Sequence, residues 1–524
     1  MGRAGPQGSS VIRHFARQST LLLTSGVLGY AGTFGLTVLL ARVVGAHGLG
    51  LYVIASAAAQ IVSVYGLMGA DWILVRHGSH YHGIGDRERL RATIRLAFVL
   101  GGAGLVVLGA GLSALAPLLG HSVYHARAAV TLLRLAGPWG ALMGFGNLML
   151  YGTMAFKSMR AQAFVRNLLQ PVIRLAFVGA ALIISPTPLA AFVAVVIAEV
   201  LLLGVATHLL NRRISLAGET QPIDRRAFVR FAIPASVNRL AQASRGQVFP
   251  LLLGSLGTVA APGVWQASRR IALAPSSIIW SMSQVYNPIA SDLYLQGLHD
   301  DLAALFKSMG KWCFAIGFAP FCVAVFFPRE LLSVFGHVFE GAATPLIVLS
   351  IGMLFEFGTG PVSTTLILIG HPKLVFADYL VVLVVEIAIG VWLIPGHGVL
   401  GAAIARSVGA ALNNVLLLGQ VWAKIRLHPF RVDYWKPLAA GLLAGVGARV
   451  VLSLAGMGPG VGAAAVAAAA VGLGYLALLL AFGLTADDKE ALNAIFRRRG
   501  RHSVAPAKRE GSRQLRSERP RVSS

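Results

Sequence analysis

The sequence predicts an all-α polytopic membrane protein of about fourteen transmembrane helices, arranged as two parallel six-helix repeats followed by two C-terminal helices. Three observations carry that prediction. Only 12% of the 524 residues are charged while 56% are hydrophobic, against roughly 25% charged in a soluble domain. Charge-poor runs such as 21–40 and 461–480 recur from end to end, each long enough to cross about 30 Å of hydrocarbon as a helix. A turn motif near residue 50 returns about 213 residues later.

Breaks at polar, glycine and proline clusters give spans at 19–42, 50–75, 94–117, 129–155, 166–185, 189–210, 231–256, 263–289, 309–327, 345–369, 374–394, 398–422, 437–456 and 461–484. These runs are continuously apolar and do not alternate as barrel strands do, so helices are the element that a bilayer allows. The organisation that follows is a basic N-terminus (1–18), an N-terminal six-helix lobe (19–210), a linker (211–230), a C-terminal six-helix lobe (231–422), two added helices (437–484) and a basic tail (485–524). The first apolar run is too long for a cleavable signal segment and reads as the first span. Cys313 and Cys322 fall inside one apolar span and predict neither a disulfide framework nor a metal site.

Orientation follows from Lys and Arg counted segment by segment. With the N-terminus inside, the inner segments hold 34 basic residues and the outer ones only Arg42, Arg127 and Arg329. Both termini are therefore expected in the cytoplasm. The net charge of +25 sits in short loops and the tail, a distribution that argues against nucleic acid. The tail from Phe496 on, with Arg497-Arg498-Arg499, is expected to be disordered and to lie on anionic lipid head groups.

The repeat is legible at two turns. Gly50-Leu51-Tyr52 opens the second span and Gly263-Val264-Trp265 the eighth; Gly83 follows the first by 33 residues and Gly297 follows the second by 34, each in a Gly-Asp turn before an amphipathic segment. Six spans separate the copies, so both have the same orientation, and a substrate site is expected between the halves near the midplane.

Eight arginines lie within the spans: Arg134, Arg174, Arg239, Arg245, Arg269, Arg270, Arg406 and Arg449. An arginine facing lipid at mid-depth costs about 2.5–3.5 kcal/mol even on the lenient scale, so they must pair, snorkel or line water. Asp71, Glu199, Glu356, Asp378 and Glu386 neutralise at most five, and an anionic ligand is the simplest account of the surplus. Polar stripes at helical spacing sharpen the choice: Asn238, Gln242 and Arg245; Gln266, Arg270 and Ser277; Asn167, Gln170 and Arg174; Ser56, Gln60 and Ser63. Such stripes line hydrated cavities or form interhelical seams. The guanidinium fork, which matches phosphate oxygens bidentately, favours the cavity. Arg239, Arg245 and Arg270 are the first candidates for substrate binding, Arg174 and Arg134 the second, with Gln60 and Gln242 beside them; Arg269 and Arg449 read equally well as snorkelling. His77, His80 and His82 lack a carboxylate or cysteine partner at ligand spacing and do not read as a metal site. No catalytic set and no cofactor motif emerges.

The residues now assembled resemble the polysaccharide-biosynthesis flippases of the multidrug/oligosaccharidyl-lipid/polysaccharide exporter superfamily. Leu39-Leu40-Ala41-Arg42-Val43-Val44-Gly45 with Gly48-Leu49-Gly50-Leu51-Tyr52 is similar to that family's first turn, Gly85-Asp86-Arg87-Glu88-Arg89-Leu90 to its first inner loop, and Leu252-Leu253-Gly254-Ser255 with Gly263-Val264-Trp265 to the second copy. Arg270-Ile271 and Pro288 fall at further family positions, with Trp265 where tyrosine is common and Asn287 where an apolar residue is. The resemblance covers spans one to twelve. It implies alternating access of two lobes about a cationic cavity in the bacterial inner membrane. The implied cargo is a polyprenyl-pyrophosphate-linked oligosaccharide: a polysaccharide, exopolysaccharide or O-antigen precursor of lipopolysaccharide biosynthesis. Glycosyltransferases and a glycan polymerase are the implied pathway partners. Asp71, Glu356 and Asp378 are candidates to couple transport to a counter-ion. Two rival readings stay open: a drug or organic-ion exporter of the same superfamily, and a membrane-embedded glycan polymerase or ligase. The latter needs a large outer loop, and the longest here is 328–344.

Overall fold

The structure, a computed structural model, describes residues 6–158, 160–223, 230 and 243–483, with their side chains from Gly26 on except those of Ser277 and Val285. Every regular element among the described residues is helical, and ten helices are long and apolar enough to cross a bilayer. Met1–Leu478 forms one compact unit; a second, Leu479–Ser524, is described only as far as 483, where it holds the end of the helix Val461–Ala481.

Two of the ten are double. Pro6–Tyr65 is 60 residues long and turns at Gly45 (φ 70°); Pro372–Ile425 is 54 residues long and turns at Gly398 (φ 52°). A positive φ at these reversals is open to glycine at little steric cost, and each turn divides two of the expected spans. Of the other expected spans, 231–256 is described only from residue 243, and 263–289 is interrupted between Ala261–Ala272 and Ser276–Leu295 at Leu273–Pro275. The chain is thus a polytopic helical membrane protein, with the count of fourteen remaining an expectation. Asn238, Arg239, Gln242 and the basic tail lie outside the described residues.

The repeat reappears in the backbone. Gly85 (φ 77°) and Gly297 (φ 73°) share the left-handed conformation, each just ahead of a long helix, Arg87–Leu118 and His299–Phe326. Gly297 therefore corresponds to Gly85 and not to Gly83, which closes the short helix Ser79–Gly83. At the first turn Asp86 caps the following helix, its Oδ1 accepting from Arg89 N at 2.9 Å. The aromatic that opens each copy is core: Tyr52 packs edge-on to Phe192 at 5.9 Å and Trp265 lies 5.2 Å from Phe249.

Helices between 26 and 211 pack mainly on one another, as do those between 276 and 425; the helix Pro6–Tyr65 also packs along Ala261–Ala272 and Ser276–Leu295. The two opening glycines meet across this contact. A Cβ on Gly263 would sit 2.5 Å from Ala46 O and 2.9 Å from Gly50 N, and one on Gly50 would meet Val259 O. Beside them Arg42 crosses to the other half, donating to Val334 O at 2.7 Å and Ser333 O at 3.1 Å. Further in, Gln247 Nε2 donates to Gln60 Oε1 at 2.9 Å and Tyr65 meets Ser244 hydroxyl to hydroxyl. The added helix Trp435–Leu454 packs on His299–Phe326.

Candidate functional site

A cavity of about 460 Å³ lies between the halves and a larger one of about 500 Å³ lies within the C-terminal half; they share Gly246 and Arg269 as wall. Arg245, Arg269, Glu356 and Arg406 line the larger, with Tyr379, Ser363 and Asn413; Arg166, Arg174, Arg269 and Arg270 line the smaller, with Asn167, Gln170, Gln60 and Gln266. The stripes on the second, fifth and eighth spans thus converge on one space.

The charge is organised as two triads. In the N-terminal half Glu199, 1% exposed, takes Arg174 Nη2 at 2.6 Å and Arg166 Nη1 at 3.4 Å. In the C-terminal half Glu386, fully buried, takes Arg406 Nη1 at 2.7 Å and Arg245 Nη2 at 2.9 Å. Each triad also sets an arginine over a ring: Arg174 lies 5.4 Å from the Trp139 centroid and Arg245 lies 5.6 Å from that of Tyr379. A carboxylate between two guanidiniums avoids an isolated buried charge, whose cost would be several kcal/mol, and leaves one positive charge over. Arg406 reaches a further carboxylate, Glu356, at 3.7 Å; that side chain is 50% exposed within the cavity wall.

Arg269 and Arg270 complete the site. They come from the helix Ala261–Ala272, and no carboxylate pairs with either among the described residues. Tyr30 donates its hydroxyl to the carbonyl of Arg270, tying the first span to this turn. The Nε atoms of Arg166, Arg174, Arg245 and Arg270 are all buried without a hydrogen-bond partner among the described residues. Six arginines and three carboxylates make up the lined space and its triads. The surplus is chemistry for an oxyanion rich in acceptor oxygens.

Among the anticipated residues, Arg174, Arg245, Arg270 and Gln60 line the cavities. Arg134 does not: its side chain is exposed on the helix Arg127–Met154 and its backbone carbonyl accepts from Ser113. Glu356 lines the larger cavity, whereas Asp71, 2% exposed, lines a separate pocket toward the Arg76 end of the second span. Asp378 lies outside both main cavities, its Oδ1 accepting from Gln420 at 2.8 Å. Arg449 pairs with Glu330 at 2.6 Å, away from the site.

Three residues escaped the sequence reading. Arg166, counted there with the loop 157–166, belongs to the helical span Arg160–Ile184 and lines the smaller cavity. The signal is present, since Arg166, Gln170 and Arg174 follow at i, i+4 and i+8; Arg166 is the first residue of the expected span 166–185 but is counted with the loop charge. The turn Ala163–Leu169 is π-helical, and it presents Arg166 and Asn167 to the cavity. Arg269, open to a snorkelling reading, belongs to the wall common to both cavities. Arg406 was visible as a buried charge but not as a member of the site.

The sequence matches the family model of the polysaccharide biosynthesis protein over residues 15–294. No curated protein matches it by sequence. Among solved structures it is similar to the lipid II flippase MurJ in an inward closed conformation, with TM-score 0.68 and 15% identity over 92% of this chain and 99% of that one. It is also similar to an inward-facing multidrug resistance MATE family transporter of the MOP superfamily, with TM-score 0.59 and 16% identity over 78% and 94%. A MOP superfamily transporter from Pyrococcus furiosus, described by a binding pocket of reverse polarity, gives TM-score 0.54 and 16% identity over 78% and 95%. At these identities the structures speak for the fold, which is that of polytopic transporters, and the sequence match speaks for the lineage: this chain belongs to the polysaccharide biosynthesis protein family.

Proposed function

We propose that the protein is a flippase that carries a polyprenyl-diphosphate-linked oligosaccharide from the inner to the outer leaflet of a bacterial inner membrane by alternating access. The observation that carries this reading is the pair Arg269–Arg270, without a carboxylate of its own among the described residues and set between two arginine-rich triads. A diphosphate offers oxygens that guanidinium forks take up bidentately, and its two charges gain roughly 4–5 kcal/mol per 100 mV on moving outward across an inside-negative membrane. The lipid tail stays in the bilayer while the head group crosses through the cavity. The charge split of the loops sets both termini inside, so the Gly50–Gly263 contact and the Arg42 clasp close the outer end. Outward opening breaks that contact. Of the coupling candidates, Glu356 is the one within the cavity and beside Arg406, and its protonation would release that arginine toward the cargo.

The test is replacement of Arg269 and Arg270 by glutamine in the full-length protein. Cells then accumulate the lipid-linked precursor and lose surface glycan; unchanged export overturns the reading. The cationic-drug exporter is the second reading, favoured by the half-exposed Glu356. It requires that Glu356→Gln abolish efflux of a cationic dye while the double arginine variant leaves efflux intact.

A further inference from the structure

Where the fourth, fifth and sixth spans end on one side of the bundle, a small pocket of about 230 Å³ is lined by Thr153, Ser158, Arg160, Phe164, Leu209 and Arg213, among others. Thr153 lies in the last turn of Arg127–Met154, Arg160 opens Arg160–Ile184, and Arg213 follows the end of Pro188–Asn211. With both termini inside, as the charge split of the loops has them, these are inner ends, and the pocket lies at the inner interface of the bilayer. It shares no lining residue with either arginine cavity. Phe164 lines the pocket, whereas Arg166 and Asn167 of the same π-helical turn line the smaller cavity.

Two kinds of surface meet in it. Most of the wall is apolar, with Phe164, 48% exposed, beside Leu209. The charged part is Arg160 and Arg213, both exposed, and neither guanidinium has a hydrogen bond or ion pair among the described residues. The Ser158 hydroxyl is likewise without a protein partner among them, while Thr153 Oγ1 donates to Leu150 O at 2.7 Å. No carboxylate lines the pocket. An apolar wall beside two unpaired guanidiniums suits an amphiphile whose phosphate carries uncompensated negative charge. A free phosphate leaves Phe164 and Leu209 uncovered, and an acyl chain alone leaves both guanidiniums without a partner. A zwitterionic head group brings a cation to a pocket that has no carboxylate to receive it.

We propose that this pocket seats one anionic glycerophospholipid of the inner leaflet. Arg160 and Arg213 take its phosphate, Ser158 donates a further hydrogen bond to it, and Phe164 and Leu209 cover the glycerol backbone and the first methylenes of a chain. The inference goes beyond the flippase reading and stands without it. The proposed cargo is also an anionic amphiphile, but a molecule held here touches no residue of the arginine cavities. The occupant is a resident lipid bound between three helix ends, not a cargo on its way across.

The experiment titrates the full-length protein in detergent with phosphatidylglycerol or with phosphatidylcholine of the same chain length, and counts bound lipids by native mass spectrometry. One phosphatidylglycerol binds the wild type about tenfold more tightly than phosphatidylcholine, equivalent to about 1.4 kcal/mol. The double variant Arg160→Gln, Arg213→Gln loses that preference. Lys373→Gln with Lys424→Gln keeps it, although it removes the same charge from exposed positions outside the pocket. Phe164→Ala weakens both lipids alike and leaves the preference between them. Equal affinity of the wild type for the two lipids overturns the site, and that comparison needs no variant to fold. An equal loss in the two double variants also overturns it, being the behaviour of diffuse surface charge. Displacement of the lipid by glycerol phosphate at matched concentration would assign the pocket to a soluble phosphate. Tighter binding of a polyprenyl diphosphate, lost in the Arg160→Gln, Arg213→Gln variant, would assign it to the cargo. Either result overturns the resident lipid.

Discussion

The two halves bury charge by the same device with the signs exchanged. In the N-terminal half both arginines, Arg166 and Arg174, lie on the fifth span and the glutamate, Glu199, on the sixth. In the C-terminal half the glutamate, Glu386, lies on the eleventh span, the counterpart of the fifth, and Arg406 on the twelfth, with Arg245 arriving from the seventh. The pair survives the repeat although the individual residues do not, because a membrane interior constrains the sum of buried charge and not which helix supplies each sign. The halves also differ in reach. The N-terminal triad joins two neighbouring helices of one hairpin. The C-terminal triad includes the helix that carries Gln247, which bonds to Gln60 across the seam, and it has Glu356 in reserve.

The largest effects are expected where that comparison is cut most directly. Glu199→Gln leaves two buried arginines facing each other and costs about 3–5 kcal/mol, read as a large fall in the thermal unfolding midpoint. Glu386→Gln falls short of that loss, since Glu356 remains 3.7 Å from Arg406; equal losses would mean that the reserve carboxylate contributes nothing. A smaller effect is expected at the glycine contact. Gly263→Ala drives a methyl group onto Ala46 O and costs about 1–3 kcal/mol, exerted on the closed end of the bundle. Thiol labelling of a Val259→Cys reporter should rise, while Gly447→Ala, with nothing within 4 Å of its Cβ, leaves labelling unchanged. The smallest effect belongs to the seam: Gln247→Ala removes one hydrogen bond worth about 0.5–1.5 kcal/mol, detectable as a modest drop in unfolding temperature that Gln60→Ala reproduces without adding to it.

The candidate site was partly readable in advance. Stripes such as Asn167, Gln170 and Arg174 follow from helical periodicity, and all three line the smaller cavity. Arg134 has the same credentials in one dimension, a charge inside an apolar run, yet its side chain is exposed away from the cavity. A single span states which residues share a face, but not which face meets the neighbours. Arg269 shows the same difficulty from the other side: it adjoins Arg270 in sequence and lines a smaller cavity that exists only when the two halves are assembled.

By itself the sequence determined the membrane-spanning character, the helical class, the loop charge asymmetry and the repeat. Each is a property of local composition or of regular spacing, and each is imposed by a solvent that accepts neither open backbone nor unpaired charge. The tertiary structure decided which arginines share a carboxylate, which two are left to the cavity, and that Gly50 and Gly263 face each other. Those are contacts between residues tens to hundreds of positions apart, and they depend on helix rotation and packing. Periodicity along one chain does not encode them.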